Sequence, residues 1–265
     1  MNLNFNNKIV IVTGGTIGIG KVICRTFLEN NAIVVFTSRH SDEGLKVENE
    51  FKKISRDCMY VNCDASSEED IKNLIKITIN NYSKIDVLVN NAAVLVDKIM
   101  DECTAEEFDF LYKVNLRGYF LTCKYAIEYL IKTKGNIVNN SSIVGEVGQY
   151  RKALYSATKG GITAFTKAIA LDYAKYLVRA NAVLPGAVYT KDIYEDIKRK
   201  NIDYSEEFIN SIPKMQPLGR VMVTSEEVAN TILFLASDLA SGITGATIVI
   251  DRGATLDLSP GMFEF

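Results

Sequence analysis

Short apolar segments alternate with helical patterns along nearly the whole chain, and this alternation constrains the fold more than any other feature. Seven segments are apolar almost throughout and rich in β-branched residues; they span 8–12, 33–36, 59–61, 87–89, 136–138, 178–184 and 247–250. Strands that are apolar on both faces are typical of a parallel sheet covered by helices on both sides. The pattern therefore predicts an α/β fold, a single-domain doubly wound (Rossmann-like) parallel sheet of about seven strands with helices on both faces.

Composition narrows the class of protein. The 265 residues are 48% hydrophobic, which excludes disorder, and we expect one domain over residues 1–265. Thirty Lys and Arg against 32 Asp and Glu give a net charge of −2, so neither nucleic acid nor an anionic membrane is an expected partner. No stretch approaches the roughly 20 apolar residues of a membrane span, and no cationic leader precedes the first strand. The expected location is cytoplasmic.

Metal chemistry is not predicted. The five cysteines contain no Cys-x-x-Cys pair, and His40 is the only histidine. These counts exclude most zinc sites and most catalytic triads that need a histidine. We expect reduced, structural thiols and no metal.

A glycine-rich turn follows the first strand. Gly14, Gly18 and Gly20 lie between that strand and a helix predicted to begin near Gly18. Such glycines allow a tight turn, a close approach of a pyrophosphate, and packing of the helix on the strand, while the helix N-terminus supplies free N–H groups. The spacing differs from G-x-G-x-x-G. Its position in a strand–turn–helix unit nevertheless predicts a dinucleotide site.

The end of the second strand indicates which dinucleotide is bound. Ser38 and Arg39 stand where an acidic residue would bind a ribose 2′-hydroxyl. Arginine accommodates a 2′-phosphate instead, so NADP(H) is the predicted cofactor. The alternative is that Arg39 lies on a solvated loop. His40 either adds to the phosphate site or is incidental.

One helix is predicted to carry the catalytic pair. Tyr155 and Lys159 are spaced i, i+4 and so share a helix face. A nearby cation favours the phenolate and should lower the pKa of the tyrosine toward neutrality. The same spacing starts at Tyr194, but only Tyr155 follows a strand-end serine, Ser142. We interpret Ser141 as a strand-end hydroxyl, with a misassignment by one residue as the alternative.

Together, in this order, these motifs resemble the short-chain dehydrogenase/reductase family in its simple form of about 250 residues. The resemblance spans nearly the whole chain. The matching pieces are 13–20, Asp64, 90–92, Val114 with Asn115, Ser142, Tyr155 with Lys159, Pro185 with Gly186, and 244–253. Arg252 departs from the family, which has glycine there. Ile17 stands where some NADP-preferring relatives carry a basic residue, so the NADP(H) prediction depends on Ser38 and Arg39.

The resemblance implies roles for these residues. Tyr155 would be the general acid–base, Ser142 would hold the substrate oxygen, and Asn115 would position a water in the proton relay. Lys159 would bind the nicotinamide ribose and lower the pKa of Tyr155. The residues expected to bind the cofactor are Gly14, Thr16, Ile17, Gly18, Ile19, Ser38, Arg39, His40, Asp64, Ala65, Asn91, Ala92, Tyr155, Lys159, Pro185, Gly186, Val188 and Thr190.

The implied activity is hydride transfer between NADP(H) and a small-molecule secondary alcohol or ketone. A hydroxysteroid or bile acid is the favoured substrate, because residues 234–244 and the first three residues resemble bacterial bile-acid dehydrogenases. Alternatives are a 3-oxoacyl-ACP reductase, a sugar or polyol dehydrogenase, and an NADP-binding regulatory protein without turnover. The expected substrate-binding residues are Ser142, Tyr155 and Tyr194.

Two further segments have predicted roles. Residues 188–218 interrupt the strand–helix rhythm before the last strand and are predicted to form a substrate lid. Residues 256–265 form a C-terminal tail that is either frayed or part of a subunit contact. The resemblance also implies a homotetramer.

Overall fold

Seven parallel strands form the central sheet of the computed structural model, which describes residues 3–190 and 211–256. Across the sheet the order is β3-β2-β1-β4-β5-β6-β9, and every neighbouring pair is parallel. The predicted fold class is therefore confirmed. The strands are β1 (Ile9–Val12), β2 (Ile33–Ser38), β3 (Cys58–Asn62), β4 (Val87–Asn90), β5 (Asn136–Asn140), β6 (Arg179–Pro185) and β9 (Thr247–Ile250).

Helices connect these strands and cover both faces of the sheet. They are α1 (Gly18–Glu29), α2 (Ser41–Phe51), α3 (Glu68–Tyr82), α4 (Ala105–Leu111), α5 (Gly118–Thr133), α6 (Ala153–Tyr173) and α7 (Ser225–Ala236). A π-helical turn, Tyr112–Arg117, joins α4 to α5, and two short strands, β7 (Val188–Tyr189) and β8 (Val223–Thr224), pair in parallel. No helix within the described ranges is long and apolar enough to cross a membrane.

The continuous apolar strands arise because each face of the sheet packs against its own layer of helices. All four residues of β1 are buried: Val10 and Val12 pack in the core with α1 and α7, while Ile11 packs in the core with α3 and α5. In the central strands both faces of the sheet lose contact with water, and this burial of apolar area is the main favourable contribution to such a fold.

Two helices begin with a capping box, which the spacing Thr-x-x-Glu in the sequence at 104–107 and at 224–227 predicts. The Thr104 side chain accepts the N–H of Glu107 and Glu107 accepts the N–H of Thr104, which opens α4. Thr224 and Glu227 make the same reciprocal pair at the start of α7. Both pairs satisfy backbone donors that a helix start would otherwise leave unpaired.

The order of the strands determines where in the fold the candidate site lies. From β1 the chain builds outward through β2 and β3, then returns to the other side of β1 as β4. The loops after β1 and β4 consequently leave the sheet in opposite directions, and a crevice opens between them at the carboxyl ends of the strands. The glycine turn and Asn91 both follow strands at this edge.

Candidate active site

A cleft of about 520 Å³ lies along the carboxyl ends of the strands. Every residue predicted to bind the dinucleotide lines it, from Gly14 and Thr16 in the turn to Val188 and Thr190 beyond β6, and Ser142 lines it as well. Tyr194, most of the predicted lid and all of the tail after Leu256 lie outside the described residues. The structure therefore brings the predicted residues together, while their individual roles stay predictions.

The glycine turn is as tight as its sequence suggests. Gly14 has φ +67°, and a Cβ on Gly20 would lie 2.0 Å from the Gly14 carbonyl oxygen and 2.5 Å from Asn91 Nδ2. Only glycine permits α1 to begin this close to β1. No side chain caps the start of α1 at Ile17, and its first turn carries no acidic residue. The helix N-terminus therefore offers N–H groups and a positive dipole at the cleft, which fits a pyrophosphate.

The far end of the cleft carries an unpaired cation. Arg39 is exposed, lines the cleft and makes no ion pair with any described residue. Asp64 lines the same region, and its Oδ1 accepts the N–H of Ser66 at 2.8 Å. A free guanidinium suits a phosphate, and an oriented carboxylate suits an amino group. This donor and acceptor set fits a nicotinamide dinucleotide that carries a 2′-phosphate.

The two neighbouring serines differ in what their hydroxyls contact. Ser141 is buried, and its Oγ donates to the Lys159 carbonyl at 2.8 Å, so that hydroxyl binds to the backbone of α6. Among the described residues Ser142 has only two hydrogen-bond contacts of its hydroxyl, both long: 3.4 Å to the Pro185 carbonyl and 3.4 Å from the Val144 N–H. Bonds of that length are weak. Ser142 is therefore the serine whose hydroxyl can bind another group in the cleft.

Contact between two glycines holds the Ser142 loop against α6. A Cβ on Gly145 would lie 2.7 Å from the Gly160 nitrogen and 2.7 Å from the Lys159 carbonyl carbon. Since real Cβ atoms do not approach backbone this closely, any larger residue would push the loop away from the helix. The contact fixes the distance between Ser142, on the loop, and Tyr155, on the first turn of α6.

Lys159 lies beneath Tyr155 in the wall of the cleft. Its side chain is 2% exposed, and Nζ donates to the Asn140 carbonyl at 2.7 Å. Nζ also lies 5.5 Å from the ring centre of Tyr155 and 5.8 Å from that of Tyr119, whose hydroxyl donates to the same carbonyl at 3.1 Å. The ammonium group is thus held within reach of the Tyr155 ring by one backbone oxygen.

Burial sets the acidity of both groups. It lowers the pKa of Lys159 from 10.5 to about 7 and raises the pKa of Tyr155 from 10.0 to about 12, because each charged form loses hydration. For Tyr155 this direction is opposite to the predicted one. The sequence shows that a cation is near, but not that desolvation outweighs its attraction for the phenolate.

Asn115 lies behind the cleft instead of lining it. It is fully buried in the π-helical turn, where its Oδ1 accepts the Val94 N–H at 2.8 Å and its Nδ2 donates to the Val94 carbonyl at 2.9 Å. Nδ2 also lies 3.2 Å from Thr158 Oγ1 on α6. The side chain thus joins the loop after β4 to the helix that carries Tyr155. Its role in positioning a water stays a prediction.

Several cleft residues have no counterpart in the sequence prediction. Most lie next to a predicted site residue or at the end of a strand, and this position in the sequence is the signal that could have found them. These residues are Thr37, Glu43, Cys63, Ala93, Val94 and Asn140. Within 3–190 and 211–256, no group of three or more His, Cys, Asp or Glu side chains could hold a metal ion.

The depressed pKa of Lys159 predicts a pH-dependent stability. Unfolding restores its ordinary pKa of 10.5, so between pH 7 and 8.5 the unfolded chain binds more protons at this group than the folded chain. The free energy of unfolding should therefore rise with pH over this window, by about 1–2 kcal/mol from this group. Urea unfolding at several pH values, with Lys159→Met as the reference, measures it. Equal pH slopes for the two proteins would contradict the assignment.

Comparison with known proteins shows similarity over nearly the entire chain. The family model described as enoyl-(acyl carrier protein) reductase, adh_short_C2, matches residues 14–255. The L-fucose dehydrogenase of Oryctolagus cuniculus is 36% identical over 98% of this chain and 89% of its own length. The 3-oxoacyl-[acyl-carrier-protein] reductase FabG of Chlamydia pneumoniae is 34% identical over 96% of this chain and 100% of its own length.

Solved structures agree with these relatives. The crystal structure of Cj0485 dehydrogenase has a TM-score of 0.91 and 32% identity, with 100% of both chains covered. The structure of ElxO with NADP bound has a TM-score of 0.86 and 32% identity, covering 94% of this chain and 99% of that one. Such proteins are oxidoreductases that use a nicotinamide cofactor and act on CH–OH groups. The chain, with its cleft at the strand ends and its Ser142, Tyr155 and Lys159, belongs to the short-chain dehydrogenase/reductase family.

Proposed function

We propose that the protein is an NADP(H)-dependent dehydrogenase that interconverts a hydroxyl and a carbonyl group of a sugar. The observation that carries this proposal is the similarity to L-fucose dehydrogenase over 98% of the chain. The loop between Ser142 and Tyr155 adds exposed hydrogen-bonding side chains, Glu146 and Gln149. The named relatives lend no support to the hydroxysteroid expectation, so the sugar class takes its place.

The residues of the cleft would have different roles in the reaction. Bound at this site, the nicotinamide supplies the hydride acceptor or donor. Ser142 would hold the substrate oxygen through its hydroxyl, whose contacts with the part of the chain that the structure describes are all long. Tyr155 would give its phenolic proton to that oxygen in carbonyl reduction and take it back in alcohol oxidation. Its raised pKa keeps the phenol protonated at neutral pH, so the acid form is the one ready to react.

Lys159 would serve in binding and in tuning the acid. One N–H of its protonated Nζ donates to the Asn140 carbonyl at 2.7 Å, so two N–H groups are left to bind a ribose hydroxyl. Its protonated form would stabilise the Tyr155 phenolate during oxidation. Because burial lowers the pKa of Lys159 to about 7, oxidation should respond to pH near neutrality.

The preference for NADP(H) is supported by Arg39. No described acid neutralises its guanidinium, and it lines the cleft together with Ser38 and His40. ElxO, a structural relative, has NADP bound. Glu43 lines the same cleft, and its negative charge would repel a bound phosphate. A direct contact between Arg39 and that phosphate would offset this repulsion.

Reduction of a 3-oxoacyl thioester is the second candidate. Its support is the FabG relative, which matches 96% of this chain. The homotetramer implied by the family and the cytoplasmic location also stay proposals. Large apolar side chains exposed on α5 and α6, Phe120 and Leu171, supply surface that an assembly could bury.

The substrate class is tested by nicotinamide absorbance with NADP⁺ and NADPH across three panels. The panels are L-fucose and other sugars, acetoacetyl and longer 3-oxoacyl thioesters, and hydroxysteroids with their ketones. We expect turnover on the sugar panel. Turnover only on thioesters would favour the second candidate, and turnover only on steroids would contradict both.

A Tyr155→Phe variant tests the chemistry on whichever substrate turns over. Loss of the phenolic hydroxyl removes the proton donor but leaves the ring, so kcat should fall by roughly 100-fold or more. Dissociation constants for NADPH should change little. A variant that keeps most of its kcat would exclude Tyr155 as the acid.

Replacement of Arg39 tests the 2′-phosphate assignment. Arg39→Asp should weaken NADPH binding by about 10-fold to 100-fold, since a charge-assisted hydrogen bond to phosphate is lost, and should leave NADH binding nearly unchanged. Arg56→Asp is the matched control, because Arg56 is exposed and does not line the cleft. Fluorescence titration with both nucleotides measures the difference. Equal loss for NADPH and NADH would overturn the assignment.

A further inference from the structure

Two asparagine pairs join the ends of β4 and β5, one on each face of the sheet. Asn90 Nδ2 donates to Asn139 Oδ1 at 2.9 Å, and Asn140 Nδ2 donates to Asn91 Oδ1 at 2.9 Å. The first pair is fully buried and does not line the cleft, whereas both members of the second pair do. The chain thus contains two chemically matched contacts, of which one borders the nucleotide site.

The two pairs differ in how completely their polar atoms are satisfied. In the first pair Asn139 Nδ2 donates to Thr166 Oγ1 at 2.8 Å, and Asn90 Oδ1 accepts Thr122 Oγ1 at 2.6 Å. In the second pair Asn140 Oδ1 is buried without a hydrogen-bond partner among the described residues. An unpaired buried acceptor is costly. If position 140 served packing alone, an apolar side chain of the same size would be more favourable.

The orientation of the second pair is fixed by the glycine turn. Asn91 Nδ2 donates to the carbonyl oxygens of Thr13 at 3.1 Å and Gly14 at 3.0 Å. Carbonyl oxygens only accept, so the amide nitrogen of Asn91 must face them and its Oδ1 must face Asn140. Only the amide nitrogen of Asn140 can donate there. The unpaired oxygen of Asn140 is the consequence of this bond.

Asn140 also holds the catalytic end of the cleft through its backbone. Its carbonyl accepts Lys159 Nζ at 2.7 Å and the Tyr119 hydroxyl at 3.1 Å. One residue is therefore connected by its side chain, through Asn91, to the turn that would bind the pyrophosphate, and by its carbonyl to the lysine that would bind the nicotinamide ribose. No other described residue makes both connections.

We propose that Asn140 is a positioning residue for the dinucleotide: the Asn91–Asn140 pair fixes the spacing between the glycine turn and Lys159. The inference rests on the proposed nucleotide site. A dinucleotide must contact both ends of the cleft at once, so its affinity depends on that spacing. A fragment that contacts one end does not have this dependence.

The experiment compares Asn140→Leu with Asn139→Leu, and the Ser variants at both positions serve if a Leu variant fails to fold. Asn140→Leu removes the unpaired acceptor. It also removes the donor to Asn91 Oδ1, but Asn91 lines the open cleft, where water can replace that donor, so the melting temperature should stay close to that of the unmodified protein. NADPH binding should nevertheless weaken by about fivefold to tenfold, the effect of one hydrogen bond. Adenosine 2′,5′-bisphosphate, which lacks the nicotinamide half, should bind within twofold of its original affinity.

The Asn139 variant should show the opposite pattern. It removes the Asn139 contacts of Asn90 Nδ2 and Thr166 Oγ1 from the core, so the melting temperature should fall while NADPH binding stays within twofold. Unchanged NADPH binding by Asn140→Leu would overturn the inference, and so would an equal loss for the dinucleotide and the fragment. An unmodified protein that binds neither NADPH nor NADH would instead refute the proposed function itself.

Discussion

Burial of the sheet on both faces is the constraint on which the rest of the structure depends. Since helices cover the central sheet, the buried residues in the middles of its strands are mostly apolar, as all four residues of β1 show. The polar residues of the strands that line the cleft lie at or next to the strand ends. The reversal of strand order between β1 and β4 opens those ends into a crevice, and the cleft occupies it.

Helix α6 carries the predicted catalytic residues Tyr155 and Lys159 to this crevice. The Gly145–Gly160 approach and the Ser141 hydroxyl bond to the Lys159 carbonyl both hold the β5–α6 loop against it. The close packing that fixes these distances also removes water from Lys159 and Tyr155. Desolvation favours the neutral form of each group: it lowers the pKa of the lysine to about 7 and raises the pKa of the tyrosine to about 12. Precise placement and altered acidity thus have the same physical origin.

The asparagine pairs show how polar side chains can occupy the end of a buried sheet. Asn90 and Asn139 satisfy each other and the threonines of α5 and α6, which stabilises the core. Asn91 and Asn140, one residue further along, face the opposite side and contact the glycine turn. Neighbouring residues at the ends of β4 and β5 therefore make contacts on opposite sides of the sheet, because successive side chains of an extended chain point to opposite faces.

The sequence alone determined the seven strands of the central sheet, both capping boxes, the start of α1 near Gly18 and most of the residues that meet in the cleft. Each of these depends on local patterns: apolar runs, glycines at a turn, reciprocal Thr and Glu side chains, and i, i+4 spacing on a helix. Such patterns act over a few residues, so they can be recognised without knowledge of the tertiary structure.

Only the tertiary structure determined the pKa of Tyr155, the position of Asn115 behind the cleft, and the hydrogen bond between Asn140 and Asn91. The cation beside Tyr155 is visible in the sequence, but the loss of hydration that outweighs it arises from packing around α6. Asn115 is hydrogen-bonded to Val94, 21 residues away in the sequence, and Asn140 is hydrogen-bonded to Asn91, 49 residues away. Desolvation and long-range hydrogen bonds depend on which distant segments pack together, and no local pattern in the chain encodes them.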